Sequence, residues 1–437
     1  MTNTSFRLFG FSSAVLLSAA LAAATPSRVG SYFTQWGIYG AHYTLHNLVA
    51  SGSDRKLTFL NYAFGNVYAN GQCGMVSRPD SSATHDGGDA YADYQLVFKA
   101  EDAVDGKADT ASDKLRGNFG QLRKLKARDP ALKVLISLGG WSWSGHFSSA
   151  AATDESRRKL VASCIELYIR GNLPVAGGAG GPTAAQGVFD GIDIDWEFPG
   201  GGGAEGNSHS PDDKHNYTLL LAEFHRQLDA LGEAQHRHYY LSAAVSAGFD
   251  HIAQTEPAEY SRYLDWVNVM TYDFHGTWDK TTNFVSPLYH DPADPGEAKT
   301  VVYDGYDAIQ ALLAAGLPRD KVNLGLSFFA VGWKGVPDGG SHGLYQPASG
   351  LAPGKLEPGN ATYGEMKQKS APRFRNEAAQ SVWTYDGNEF WTYDDPVVIA
   401  AKVKYVKEQH LGGLFSWSVD GDDAEGSLVS AMGRAIE

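Results

Sequence analysis

An α/β fold, a (β/α)8 barrel, is predicted by three features of the sequence: eight short apolar runs, amphipathic helical stretches between several of them, and nearly unbroken hydrophobicity within each run. Parallel strands buried on both faces by crossover helices read this way, whereas half-exposed strands alternate. An open doubly wound sheet satisfies the same conditions and is the alternative. The runs cover 29–35, 57–64, 132–138, 188–195, 239–245, 266–271, 322–328 and 412–417. After the second run, residues 66–112 are rich in Gly, Asp and Ser and read as loop. A helix over 114–127 should stop ahead of Pro130, because the residue before a proline avoids helical dihedral angles. The Gly-rich stretch 171–187 reads as a loop before the fourth strand. The clearest helix starts at Ser210, with Pro211 just inside and Asp212 and Asp213 in its first turn. Its residues Tyr217, Leu220, Leu221, Phe224, Leu228 and Leu231 follow helical spacing. Between residues 328 and 412 lies far more chain than one crossover helix needs, rich in Gly, Pro and aromatics. Residues 331–394 within it read as a small α+β insertion on the active face of the barrel.

The 437 residues are 43% hydrophobic, ample for a large core, which excludes a disordered chain. A net charge of −14 excludes nucleic acid as the expected partner and fits a neutral or cationic one. Residues 1–24 read as a signal peptide: Arg7 is followed by an apolar run over 8–21 and then Ala22, Ala23 and Ala24. Residues 25–437 are then the barrel of a secreted, extracellular protein, expected to be a monomer. No other apolar stretch approaches membrane-spanning length, so no membrane association is expected after the signal is removed. The two cysteines, Cys73 and Cys164, form one bridge, or Cys164 is a buried free thiol; the sequence leaves both open.

The most informative segment is 189–198, FDGIDIDWEF. Side chains alternate across a strand, so Asp193, Asp195 and Glu197 share one face and Ile192, Ile194 and Trp196 the other. In a barrel the apolar set meets the helices and the acidic set points inward. Same-face neighbours lie roughly 6–7 Å apart, so three carboxylates in a row repel and raise at least one pKa. Such a row at the C-terminal end of a barrel strand is an acid/base arrangement. A Mg²⁺ or Ca²⁺ site and a structural acidic strand are the weaker alternatives. Asp190 has the opposite parity and reads as structural.

Residues 190–197 resemble the D-x-x-D-x-D-x-E signature of glycoside hydrolase family 18, the chitinases and their relatives. Residues 137–141, SLGGW, resemble the family's third-strand motif, and residues 268–273, NVMTYD, its sixth-strand motif. Residues 412–417, GGLFSW, resemble its eighth strand, and residues 32–36, YFTQW, its first. The resemblance implies a TIM-type barrel with an α+β insertion between strands seven and eight. It also implies a hydrolase that cuts β-1,4 N-acetylglucosamine linkages of chitin or chitooligosaccharides, with no cofactor or metal. In this family the substrate's own 2-acetamido carbonyl attacks the anomeric carbon, with retention. By the same match Glu197 is the general acid and then base, and Asp195 orients the acetamido N–H. Asp193 shares a proton with Asp195, supported by Ser137 and Tyr32. Tyr272 holds the acetamido carbonyl, and Asp273 contacts the sugar or Glu197. Trp417 and Trp141 supply apolar surfaces, Met270 lines the pocket, and Trp36, Trp278, Trp333 and Trp391 stack further sugars. Val331 stands where the family often has arginine, which puts one sugar contact in doubt. An endo-β-N-acetylglucosaminidase acting on N-glycans and a chitin-binding lectin are the alternatives; Glu at position 197 weighs against the lectin.

Overall fold

The structure is a computed structural model that describes Met1 and residues 28–81, 84–296, 303–355 and 357–437. Apart from Met1, the expected signal segment lies outside the described residues. Eight parallel strands occupy the eight expected positions: β1 (Arg28–Thr34), β2 (Phe59–Val67), β3 (Lys133–Gly139), β4 (Gly191–Asp195), β5 (Tyr240–Ser246), β6 (Trp266–Met270), β7 (Val322–Ser327) and β8 (Gly413–Trp417). Each pairs with its sequence neighbours, and β1 pairs with both β2 and β8. The sheet therefore closes into a TIM-type barrel, which rules out the open doubly wound alternative. On β4, Ile192 and Ile194, with Trp196 just beyond, enter the main core beside Leu220, Leu221 and Phe224 of the helix Asp213–Gln235. Asp193 and Asp195 take the other face, as the alternation requires.

The helix expected over 114–127 runs Gly117–Arg128. Its start is delayed because Arg116 is extended and its guanidinium donates to the carbonyls of Gln95, Ala111 and Gly177. The helix expected from Ser210 begins at Asp213, whose buried carboxylate accepts from Ser148, Ser210 N and Gly200 N. That cluster ties the loop after β4 to two helices. Residues 66–112 are more ordered than loop composition suggests, with short strand pairs and a helical turn Tyr91–Gln95. A disulfide joins Cys73 in this excursion to Cys164 at the end of the helix Asp154–Cys164, which settles the open choice.

Between β7 and β8 lies a six-stranded antiparallel sheet running from Phe329 to Tyr393, with the helix Tyr363–Gln368. It has its own apolar core, to which Phe284 and Val285 of the loop after β6 contribute. A buried ion pair anchors the sheet to the barrel. Lys402 of the helix Pro396–Glu408 and Asp394 are each 2% exposed and 2.7 Å apart. Lys402 also donates to Ser286 at 2.6 Å, Ser286 donates to Thr271 O, and Asp394 accepts from Ser327 N. Among the described residues no helix is long and apolar enough to cross a membrane.

Candidate active site

Asp193 stands inside the barrel with its cross-strand partners Ser137 and Ser242 in register on either side. Its Oδ2 accepts from Tyr32 and Ser137, both at 2.8 Å, and its Oδ1 from Ser242 at 2.5 Å. The resemblance implies a proton shared with Asp195, but no hydrogen bond joins the two here. The three hydroxyls fill three of the roughly four acceptor sites of Asp193. Asp195 is 3% exposed, and its Oδ1 is buried without a hydrogen-bond partner. Gly139 pairs with it across β3 at φ +109, and a Cβ there would lie 2.2 Å from Asp195 O. That close approach requires the glycine of the third-strand motif. Glu197 follows the strand end. Its backbone N–H donates to Ser144 Oγ at 2.9 Å, and its carbonyl accepts from Asn207 at 3.1 Å. Its carboxyl makes no hydrogen bond among the described residues and lines the cleft.

A polar row runs beneath the site. Arg28 Nε donates to Asn323 at 3.0 Å, Asn323 to Asn268 at 3.0 Å, Asn268 to Tyr32 at 3.4 Å, and Tyr32 to Asp193. Asp190 stays outside, as its parity requires, accepting from Lys126, Arg237 and Val134 N.

Burial dominates the electrostatics. It lifts the Asp193 carboxyl, against the pull of its three hydroxyl partners. It lifts Asp195 well above the carboxylate range, with Glu197 and Asp193 adding to the effect. Glu197 is pushed up to about 8 by burial and then by the neighbouring Asp273. Asp273 is pushed up to about 7 by burial; it holds a left-handed backbone at φ +55, sparsely populated for a non-glycine residue. Burial first, then the surrounding carboxylates, raise Tyr272 and keep its hydroxyl protonated. Its ring lies 6.0 Å from that of Phe415, against β7 at Gly325, where a Cβ would come within 2.9 Å of it.

Asp195, Glu197, Tyr272 and Asp273 open into one cleft of about 860 Å³ that Tyr32, Met270, Trp141, Trp36 and Trp417 also line. Trp417 stacks on Phe64 at 5.5 Å, and Phe64 continues to Trp36 at 6.1 Å. Trp36, Trp141 and Trp278 are 47%, 54% and 63% exposed and line the cleft. Two expectations are corrected. Trp333 is 1% exposed in the core of the antiparallel sheet, with its indole N–H donating to Asp279 O, so it is not a sugar platform. Trp391 is likewise 1% exposed. Ser137 supports Asp193 as the resemblance implies and, fully buried behind it, does not reach the cleft to touch substrate. Val331 is buried in the same second core as Trp333, so its side chain offers the cleft nothing. Sequence reasoning missed Ser144, Ser242, Gln35 and Phe64. Ser242 was legible only through strand pairing, since it lies in a run that otherwise reads as plain apolar strand.

A profile of Glycosyl hydrolases family 18 matches residues 28–422. Chitinase C of Streptomyces lividans is 37% identical over 402 residues, covering 90% of this chain and 57% of that protein. Chitinase A1 of Niallia circulans is 33% identical, covering 93% of this chain and 58% of that protein. The chain thus spans under two thirds of the length of these relatives. The solved catalytic domain of psychrophilic chitinase B from Arthrobacter TAD20 superposes with a TM-score of 0.90 at 40% identity, covering 94% of this chain and 95% of that one. A family 18 N-acetylglucosaminidase from Paenibacillus barengoltzii gives 0.70 at 29%, covering 93% and 99%. With the closed barrel and the acidic strand in place, the profile match assigns the chain to its family: it belongs to Glycosyl hydrolases family 18.

Proposed function

We propose that this chain is a secreted chitinase that hydrolyses β-1,4 N-acetylglucosamine linkages by substrate-assisted, retaining catalysis, with the antiparallel sheet as an insertion subdomain on the rim of its cleft. The observation that carries the reading is the orphaned Oδ1 of Asp195. A buried carboxylate oxygen without a partner is costly, and a ligand N–H beside it removes the cost. The 2-acetamido group of the substrate brings such an N–H. With Asp195 on that N–H and the Tyr272 hydroxyl on the carbonyl, the carbonyl oxygen is held in line with the anomeric carbon. Glu197 gives its proton to the leaving oxygen, the acetamido oxygen closes an oxazolinium ring, and Asp195 stabilises its positive charge. Water, deprotonated by Glu197, then opens the ring. Trp417 and Trp141 form the walls, and no protein nucleophile is needed.

Two inversions at the anomeric carbon make the β-anomer the first product, read by proton NMR of fresh hydrolysate. Fully deacetylated oligomers lack the attacking oxygen and stay uncut, although this acidic protein attracts their charge. Initial α-anomer, or comparable rates on acetylated and deacetylated oligomers, would overturn substrate assistance.

The pH profile follows from the same groups. The acid step needs protonated Glu197, so kcat/KM falls on the alkaline side as pH passes its value of about 8. Asp273, ionised above about 7, helps to hold Glu197 that high. Removing its charge in Asp273→Asn therefore moves the alkaline limb to lower pH. A limb that stays in place contradicts this coupling.

A further inference from the structure

We infer that Gln35 binds a sugar unit through its side-chain carbonyl, and that Asp93 is the positioning residue that turns this carbonyl into the cleft. The inference rests on the reading of the cleft as an oligosaccharide site. Gln35 follows the end of β1 and is 4% exposed, yet it lines the cleft next to Trp36. Its amide has one donor end and one acceptor end. The donor end is taken: Nε2 donates to Asp93 Oδ1 at 2.5 Å. The same oxygen accepts from Tyr62 at 2.7 Å, and Tyr62 in turn accepts from Asn118 at 3.1 Å. Tyr62 has a single proton, and because its oxygen receives the Asn118 N–H, that proton points at Asp93. Burial pushes the Asp93 carboxyl up to about 7; while it is ionised, Oδ1 is an acceptor from both sides, and a reversed Gln35 amide would set oxygen against oxygen. Asp93, 3% exposed and in no ion pair among the described residues, has no competing cation to turn it away.

With the nitrogen committed inward, Oε1 is left over, and it makes no hydrogen bond among the described residues. Oε1 is not itself buried and so faces the cleft, where a donor on a bound sugar takes the place of water. Trp36, the next residue, lines the same cleft and is 47% exposed, so its indole offers apolar surface to a sugar there. A pyranose stacked on that surface brings O–H groups, and an N-acetylated one an N–H as well. The position therefore selects for a unit that donates.

The test is steady-state kinetics on N-acetylglucosamine tetramers and pentamers. Gln35→Ala raises KM by about 3- to 10-fold, the worth of one neutral hydrogen bond, and lowers kcat by less. Gln35→Met, which fills the space without a carbonyl, gives the same penalty. Asp93→Asn keeps the volume and an oxygen for Tyr62, but it adds an N–H that competes for Oε1, and KM rises too. In the double variant KM is no higher than in Gln35→Ala alone, because Asp93 acts only through Gln35. A merely structural Asp93 would add its loss independently. Thermal unfolding monitors the fold, and Asp93→Ser repeats the cycle if Asp93→Asn does not fold. KM of Gln35→Ala within twofold of wild type, or additive losses in the double variant, overturns the inference. Wild-type protein inert on these oligomers would instead overturn the chitinase reading itself.

Discussion

Glu197→Gln abolishes turnover while leaving oligosaccharide binding in place. Loss of a general acid alone costs about 10²–10⁴-fold in rate, and the loss is larger where the leaving group is a poor one, as a sugar alkoxide is. Glutamine keeps the size of the side chain, and Ser144 and Asn207 hold the backbone of residue 197, not its carboxyl. The geometry therefore survives. A variant with a tenth of wild-type rate would refute the role. The same substitution carries a stability signature. Burial raises Glu197 from an ordinary value near 4.5 to about 8 in the fold, so its contribution to stability is fully present below pH 4.5 and is lost as pH rises through 8. Glutamine has no charge to lose. The Tm of Glu197→Gln relative to wild type should accordingly climb between pH 5 and pH 9, measured by calorimetry.

Lys402→Met is expected to be the most damaging single change away from the cleft. The ammonium and Asp394 are each 2% exposed, and Lys402 also holds Ser286. Removing one partner of a buried pair strands the other charge, at a cost of about 3–5 kcal/mol. The damage reaches the site through Ser286, which donates to the carbonyl of Thr271, one residue before Tyr272. A large fall in Tm with a rise in KM is the expected pattern. Replacing both partners, as Lys402→Met with Asp394→Leu, recovers most of the Tm, because no charge is then left unpaired. If the double variant melts as low as the single, the ion pair is not what the single change removes.

The barrel was legible because its strands are buried on both faces and so read as unbroken apolar runs. Glu197, Asp195 and Asp193 were legible because period two along a strand puts them on one side. What was hidden depends on contacts between distant segments. Trp333 looked like a sugar platform by residue type, but only the pairing of Trp333 with Phe390 across the sheet shows it turned into a second core. Gln35 is unremarkable in sequence, and its partner Asp93 lies in a Gly- and Asp-rich stretch that composition alone marks as loop. The late start of the helix Gly117–Arg128 has the same kind of origin, since Arg116 is held by carbonyls of three other segments.

The row from Arg28 to Asp193 has a direction. Arginine can only donate, so Asn323 must turn its oxygen toward Arg28 and its nitrogen toward Asn268. Asn268 is then bound to do the same toward Tyr32, whose one proton goes to the carboxylate. Read from the other end, a carboxylate that can only receive dictates the same sense. Four links thus behave like cogs on one shaft: no member can reverse unless all reverse together, and the arginine forbids that. Asp193 is thereby held in one orientation, and Asp195, whose Oδ1 no neighbour engages, is the carboxyl of the pair left with an oxygen to offer the substrate.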